Sequence, residues 1–549
     1  MLFSNQRLMD RVVATRATVL TVAMLFGTLV GVASGVEILV PADQPTVQAA
    51  IDVAVDGDEV VVAPGVYVEN IAFNGKAITV RSSAGKESTI LDGSALTAGP
   101  DFGCTVRFVD GEGPDSVLDG FTVIGGTGAF LAGSSPSIFQ IIGGGVFASY
   151  ASPTLRSCRF TLNSAASRGG GVGFVEIEGE ALVEDCEFIE NTSPNGAGLR
   201  ASGPGSLTIR NSLFLANESV LGGGGAGARV GTATILVEDC IFEANDSATT
   251  TAGLGLGNYS SVGWTGNAVA TVRRCEFIGN EAAVYGAIVA YRCAAAIEDC
   301  LIEGNSSDQS ALTSDFANVV AVRCRMVGNT APNTTVASTL NPGSITLDRC
   351  TLADNVSPAG VCSFPGASAG ILMNTILRGP DPASTVASVP NLTITYSNIE
   401  GGFAGVGNID VDPLFVAPIF GDYRLMLGSP CIDAGDPTTE LDPDGTNADM
   451  GALFFDQMIA DFVRGDANQD GVVEISDPVW MLEELFLGGP ASPCGSASDA
   501  NDDGIHDVSD VLAVLNAVFI GPDPLPEPSA ACGSDPTPDS LECAAPICP

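Results

Sequence analysis

Histidine is almost missing from this 549-residue sequence: His506 is the only one, which excludes a histidine-based triad or a multi-histidine metal centre. Positive charge is scarce too. Lys and Arg number 22 against 65 Asp and Glu, a formal net charge of −43, so the surface repels phosphate backbones and anionic membranes. Nucleic acid is therefore not an expected partner. Tryptophan occurs twice and glycine 66 times, a composition of many turns and thin, repetitive packing instead of one large core. Charged residues make up 16% and apolar residues 45%, which excludes a disordered acidic chain. Long apolar runs are also lacking, since a membrane span needs about 20 residues. An uncharged run from Ala17 to Val32 follows Arg7, Arg11 and Arg16 and leads to Ala33-Ser34-Gly35, the build of a cleaved export signal. Residues 1–35 thus read as a signal peptide, the mature chain starts at Val36 without a membrane span, and a secreted or cell-surface location is expected.

A short pattern recurs from residue 158: cysteine, any residue, an apolar residue, two more, asparagine. It stands as Cys158-Phe160-Asn163, Cys186-Phe188-Asn191, Cys240-Phe242-Asn245, Cys275-Phe277-Asn280, Cys300-Ile302-Asn305, Cys324-Met326-Asn329 and Cys350-Leu352-Asn355. Ser212-Phe214-Asn217 is a serine copy and Asn374-Ile376 a degenerate one. Cysteine and the apolar residue, two apart, point to one face of a strand. Asparagine is expected at the left-handed corner that follows, with its amide bonded to its neighbours along the axis. The clusters Gly169-Gly170-Gly171, Gly196-Ala197-Gly198, Gly222 to Gly225 and Gly253-Leu254-Gly255 permit positive φ and close approach of coils. A single unit cannot bury its apolar face, so the units must stack. The fold expected for residues 36–457 is all-β, a right-handed parallel β-helix solenoid with coils about 4.8 Å apart. Its aligned cysteines are expected as buried thiols.

The paired signals Phe-x-x-Asn and Gly-Gly-x-apolar resemble the repeats of bacterial polymorphic outer-membrane proteins and related right-handed β-helix proteins. The opening, Val40-Pro41-Ala42-Asp43 through Ile51, Gly57-Asp58 and Pro64-Gly65-Val66-Tyr67, resembles the first coil of pectin esterases and other pectin-lyase-like folds. The stretch from Asp410 to Phe415, then Gly428 to Gly435 and Asp449-Met450-Gly451, resembles the segment that closes choice-of-anchor Q β-helix proteins.

From Gly465 the composition changes. Asp466, Asn468, Asp470, Gly471 and Asp477 occupy positions 1, 3, 5, 6 and 12 of a loop, and Asp499, Asn501, Asp503, Gly504 and Asp510 repeat them. Oxygen ligands at 1, 3, 5 and 12 surround a hard cation. Val472 and Ile505 offer carbonyls at position 7, Glu474 and Asp507 act at 9 through water, and glycine at 6 makes the turn; Ca²⁺ is the expected ion. A helix should follow each loop, with Val479, Leu482 and Phe486, then Leu512, Leu515 and Phe519, on its apolar face. The residues before each loop are poor helix formers, and Asp ends both loops where an EF-hand usually has Glu. A loop with one exit helix, duplicated over 462–521, resembles the type I dockerin. That resemblance implies a cohesin-like partner contacted through Ile475-Ser476 and Val508-Ser509. The copies stand 33 residues apart, wider than the compact family spacing, with Gly488 to Cys494 inserted. Residues 522–549 form a Pro/Cys-rich tail, and Cys494, Cys532, Cys543 and Cys548 allow three pairings.

For catalysis the only candidates are Glu176 and Glu178, expected two apart on one strand face, with Arg200 and Arg229 on following coils. Their bland reading is solvated outward side chains. The aspartate and Arg-Pro-Trp signatures of pectin esterases are absent. Tyr259, Trp264, Tyr285 and Tyr291 gather near the longest coil, where packing competes with stacking on a sugar ring. Two functions follow: a non-catalytic binding or adhesion rod docked through its tail, which is preferred, and a polysaccharide lyase or glycosidase tethered the same way.

Overall fold

The computed structural model describes residues 35–456 and 462–543, apart from 95–102, 133–138, 220–226, 249, 258–267, 333–336, 358–361, 365–367, 380–390, 427, 522–523, 530–531, 534–536, 538–540 and 542. Residues 1–34, nearly all of the expected signal peptide 1–35, and the cluster Gly222 to Gly225 lie outside the described residues. From Glu37 to Ile399 the chain winds through three faces of parallel strands. The first face runs from Glu37–Val40 through Glu180–Glu184 and Ala268–Arg273 to Leu392–Thr395. The second has thirteen strands among the described residues, from Gly65–Val68 through Glu187–Ile189 to Asn398–Ile399. The third runs from Ile71–Ala72 through Val172–Val175 to Cys362–Ser363. Strands one coil apart pair in register, as Glu187 with Leu213, Leu213 with Ile241 and Ile241 with Glu276.

The repeat supplies this interior. Phe160, Phe188, Phe214, Phe242 and Phe277 stack with ring centroids 5.1, 4.5, 4.6 and 4.9 Å apart. Beside them runs the expected amide ladder. Asn191, Asn217 and Asn245 each donate from Nδ2 to the next asparagine's Oδ1, at 3.0, 2.9 and 2.9 Å, and the chain of bonds extends from Asn163 to Asn355. Each amide is buried and donates again to a carbonyl of the preceding coil, so its burial leaves no donor unmatched. The corner itself is placed differently from the expectation. The left-handed residue is the one before the asparagine: Leu162, Glu190, Ala216, Ala244, Gly279, Gly304, Gly328 and Asp354 have φ between 50° and 62°. Those positions point outward and tolerate any short turn, which frees asparagine to turn its amide inward. The repeat cysteines are buried and free, with Sγ on backbone carbonyls, as Cys240 on Glu238 at 3.2 Å. Burial pushes the Cys158 thiol up to about 12. Glycines are required where coils touch: a Cβ on Gly171 would lie 2.5 Å from the Gly198 carbonyl.

Outside, the first face carries charges of alternating sign on successive coils: Arg81, Asp119, Arg156, Glu184, Arg210, Glu238, Arg273 and Glu298 stand in one register row. Arg156 pairs with Asp119 at 3.0 Å, Arg210 with Glu184 at 2.7 Å and Arg273 with Glu238 at 2.6 Å. Each exposed pair adds at most about 1 kcal/mol. Pairing a coil with the next but one, however, would oppose like charges, so the row favours the observed order.

Both ends of the rod are closed. The helix Val47–Val53, capped by Thr46, buries Val47, Ala50 and Ile51 on the first coils. At the other end a hairpin (Phe415–Ala417, Asp422–Leu425) and residues 428–455 pack onto the last coils, with Leu425, Cys431, Met450 and Ile376 in one cluster. Asp449 is buried there and accepts from Asp433 N at 2.7 Å and Phe455 N at 2.6 Å. Burial, then the Asp442 and Asp433 carboxylates, push it up to about 6 from an ordinary 3.8. Its contribution to stability is therefore complete below 3.8 and lost as pH rises through about 6. That loss amounts to at most about 3 kcal/mol, less what solvent screens. The rod's thermal midpoint should fall between pH 4 and 7.5, and fall less in Asp449→Asn; identical slopes would contradict this assignment.

Candidate functional site

The two acidic loops of the tail repeat each other's hydrogen bonds at positions 1 and 12. Asp466 accepts from Asp470 N (3.1 Å) and Gly471 N (2.9 Å), as Asp499 does from Asp503 N (3.1 Å) and Gly504 N (2.9 Å). Asp477 accepts from Asn468 N (3.3 Å) and Glu474 N (2.8 Å), as Asp510 does from Asn501 N (3.2 Å) and Asp507 N (2.8 Å). Gln469 and Asp502, at position 4, share a left-handed φ of 62° and 63°. In the second loop position 9 is occupied with the helix that follows: Asp507 caps Val508–Phe519 through Ser509 N, whereas Glu474 in the first loop makes no such cap and accepts from Ser476 Oγ at 3.3 Å.

Asp466, Asp477, Asp499 and Asp510 are buried. Burial and the facing carboxylates raise Asp466 and Asp510 and push Asp477 up to about 6. Among the described residues no three His, Cys, Asp or Glu side chains converge on one point; backbone N–H groups hold the carboxylates instead. The donor set at positions 1, 3, 5, 7, 9 and 12 is nonetheless all oxygen, the ligand chemistry that a hard divalent cation takes.

Helices Ser476–Leu487 and Val508–Phe519 follow the loops as expected, and a single turn, Gly495–Ser498, precedes the second. Their orientation differs from the sequence pattern. Pro478, Met481, Val511 and Val514 are buried, whereas Val479, Leu482 and Phe486 on one helix and Leu512 and Phe519 on the other are exposed, the two phenylalanines by 66% and 63%. The apolar stripe is wider than the contact between two short helices, and its outer half faces solvent with Ile475, Leu487, Val508 and Ile520. Cys494 is bonded to Cys543, one of the three possible pairings, and Cys532 is oxidised as well.

On the rod the catalytic candidates do not assemble. The strand Val172–Val175 ends before Glu176, whose φ is 54°, so Glu176 and Glu178 flank the buried Ile177 at an exposed corner and not on a strand face. Arg200 and Arg229 do stand on adjacent coils in register, yet both are buried, contrary to the expected solvated side chains, with Arg200 Nη1 3.3 Å from the Arg229 carbonyl. A depression of about 300 Å³ lies elsewhere, lined by Asp246, Glu281, Ser306 and Asp308. Tyr259 and Trp264 lie outside the described residues. Tyr291 meets Phe316 edge-on at 6.5 Å, with the Arg292 guanidinium over both rings, a grouping that single-residue spacing did not reveal.

The protein is of the right-handed parallel β-helix class, mostly β with a few C-terminal helices. Residues 103–267 match the family described as right handed beta helix region. Similar solved structures include pectate lyase Pel9A, at 13% identity and a TM-score of 0.37 over 74% of this chain and 90% of that one. The catalytic unit of the thermostable GH87 alpha-1,3-glucanase from Streptomyces thermodiastaticus strain HF3-3 is 14% identical, TM-score 0.29, over 70% of each chain. The siphovirus 9NA tailspike receptor binding domain is 14% identical, TM-score 0.25, over 71% of this chain and 81% of that one. No curated protein matches the sequence. Among the described residues no helix is long and apolar enough to cross a membrane.

Proposed function

We propose that this chain is an exported, non-catalytic binding rod, docked outside the cell through a calcium-stabilised, dockerin-like module to a cohesin-like protein. The observation that carries the docking half is the duplicated loop-and-helix unit with its two matched apolar faces turned to solvent, since exposed patches of this kind mark interaction sites. The ion acts by neutralising carboxylates at positions 1, 5 and 12 that repel one another, which holds each exit helix against its loop. The test is titration of the purified chain with type I cohesin domains. A complex is expected with Ca²⁺, and not with chelator or in Leu482→Asp/Leu512→Asp. Absence of a complex in every condition rejects the partner class.

Polysaccharide is the ligand class assigned to the rod. Exposed Phe316 beside Arg292 and Tyr291 offers an aromatic surface with adjoining hydrogen-bond donors. Turnover is not expected, because Glu176 and Glu178 face solvent away from any convergent acid–base set. The purified chain should release no product from polygalacturonate, alginate or a wider plant and algal panel. Activity abolished by Glu178→Gln would establish the tethered-enzyme alternative instead.

A further inference from the structure

We infer that Arg464 and the C-terminal segment are positioning elements for the second acidic loop alone, so that the two cation sites are not equivalent despite their matching sequences; this rests on the calcium reading above. Arg464 is the only Lys or Arg from residue 462 to the end of the chain. It sits two residues before the first loop, yet its side chain, with no exposed surface, reaches into the second unit. Nη1 donates to the carbonyls of Asp499 (2.7 Å) and Ser496 (3.3 Å), Nη2 pairs with Asp502 at 2.9 Å, and Nε donates to the Glu527 carbonyl at 3.2 Å. It therefore holds the main chain at position 1 of the second loop and the side chain at position 4. The first loop has Gln469 at position 4, whose amide nitrogen has no hydrogen-bond partner among the described residues.

The C-terminal segment completes the clamp from the other side. Arg464 N donates to the Pro528 carbonyl at 2.6 Å, and Phe462 and Gly533 exchange backbone bonds of 2.9 and 3.1 Å. Leu525 enters the small core beside Ala467, Met481, Ala500, Val511 and Val514. Thr537 Oγ1 donates to Asp502, Ser496 Oγ donates to the Leu541 carbonyl at 2.7 Å, and Cys543 is bonded to Cys494, five residues before Asp499. Three of these contacts, from Thr537, Leu541 and Cys543, converge on 494–502, the entry to the second loop, where the Arg464 fork also ends. A buried guanidinium with its fork satisfied fixes those carbonyls in a way that a lysine, with one charged point, does not.

Outer-shell partners of this kind are worth roughly 10–100-fold in metal affinity. The experiment is calcium titration calorimetry of the full mature chain in two backgrounds. Asp470→Ala leaves the second loop as the intact site, and Asp503→Ala leaves the first. Arg464→Ala should weaken the remaining site roughly 10–100-fold in the Asp470→Ala background and leave it unchanged in the Asp503→Ala background. Arg464→Lys should recover part of the loss. Reducing Cys494–Cys543 should act in the same direction as Arg464→Ala and on the same site, which keeps the test informative if the alanine variant loses its fold. Equal weakening in both backgrounds, or none in either, overturns the inference. A parent chain that takes up no calcium at all rejects the underlying reading, and this inference with it.

Discussion

Replacing Asn245 with alanine should lower the rod's unfolding free energy by roughly 4 kcal/mol, from several buried polar groups left unpaired at about 1–3 kcal/mol each. Asn245 donates to Asn280 Oδ1 and to the Phe214 carbonyl, both at 2.9 Å, and accepts from Asn217 N at 3.1 Å and Asn217 Nδ2 at 2.9 Å. Alanine removes all four bonds at once and leaves their partners in a space that water does not reach. A stacked array also transmits the loss, because each coil is stabilised by the interface with its neighbours. The measurement is a chemical unfolding curve followed by far-ultraviolet circular dichroism. A midpoint unchanged from the parent protein would show that the amide row contributes nothing beyond filling space.

Withdrawing calcium should destabilise the tail by about 4 kcal/mol per site at a free concentration near 1,000 times Kd. The small core, built around Met481, Val511 and Val514, has little apolar area to offset four buried acids. Chelation of the full chain should thus reduce helical signal and shift the emission of Trp480, which lies in the first exit helix, while the rod's own transition stays in place. Asp470→Ala should remove one of two binding steps. A tail equally helical with calcium and with chelator would reject the role given to Asp466, Asp477, Asp499 and Asp510.

The class of fold and the position of both loops were legible in the sequence, because each rests on local periodicity. A residue repeated once per coil must occupy the same place in every coil, so Cys186 and Phe188 could be assigned inward without knowing any contact. The twelve-position loop is likewise local, with its hydrogen bonds spanning two to nine residues. What failed was whatever depended on a neighbour distant in sequence. The backbone corner moved from asparagine to the residue before it, since only the stack reveals that the amide is needed inside. Arg200 and Arg229 were expected in solvent and are buried, and Glu176 and Glu178 do not share a strand face. In the tail, helical spacing marked Leu482 and Phe486 as apolar but could not say which half of the stripe meets the second helix. Nor could it bring Arg464 to Asp502, or Leu525 and Cys543 back onto the loops. Periodicity fixes which way a side chain points relative to its own backbone, whereas burial and pairing are set by what else arrives there. For this chain the first settled the architecture, and only tertiary packing decided which charges are held, which apolar surface stays open, and that two loops alike in sequence have different surroundings.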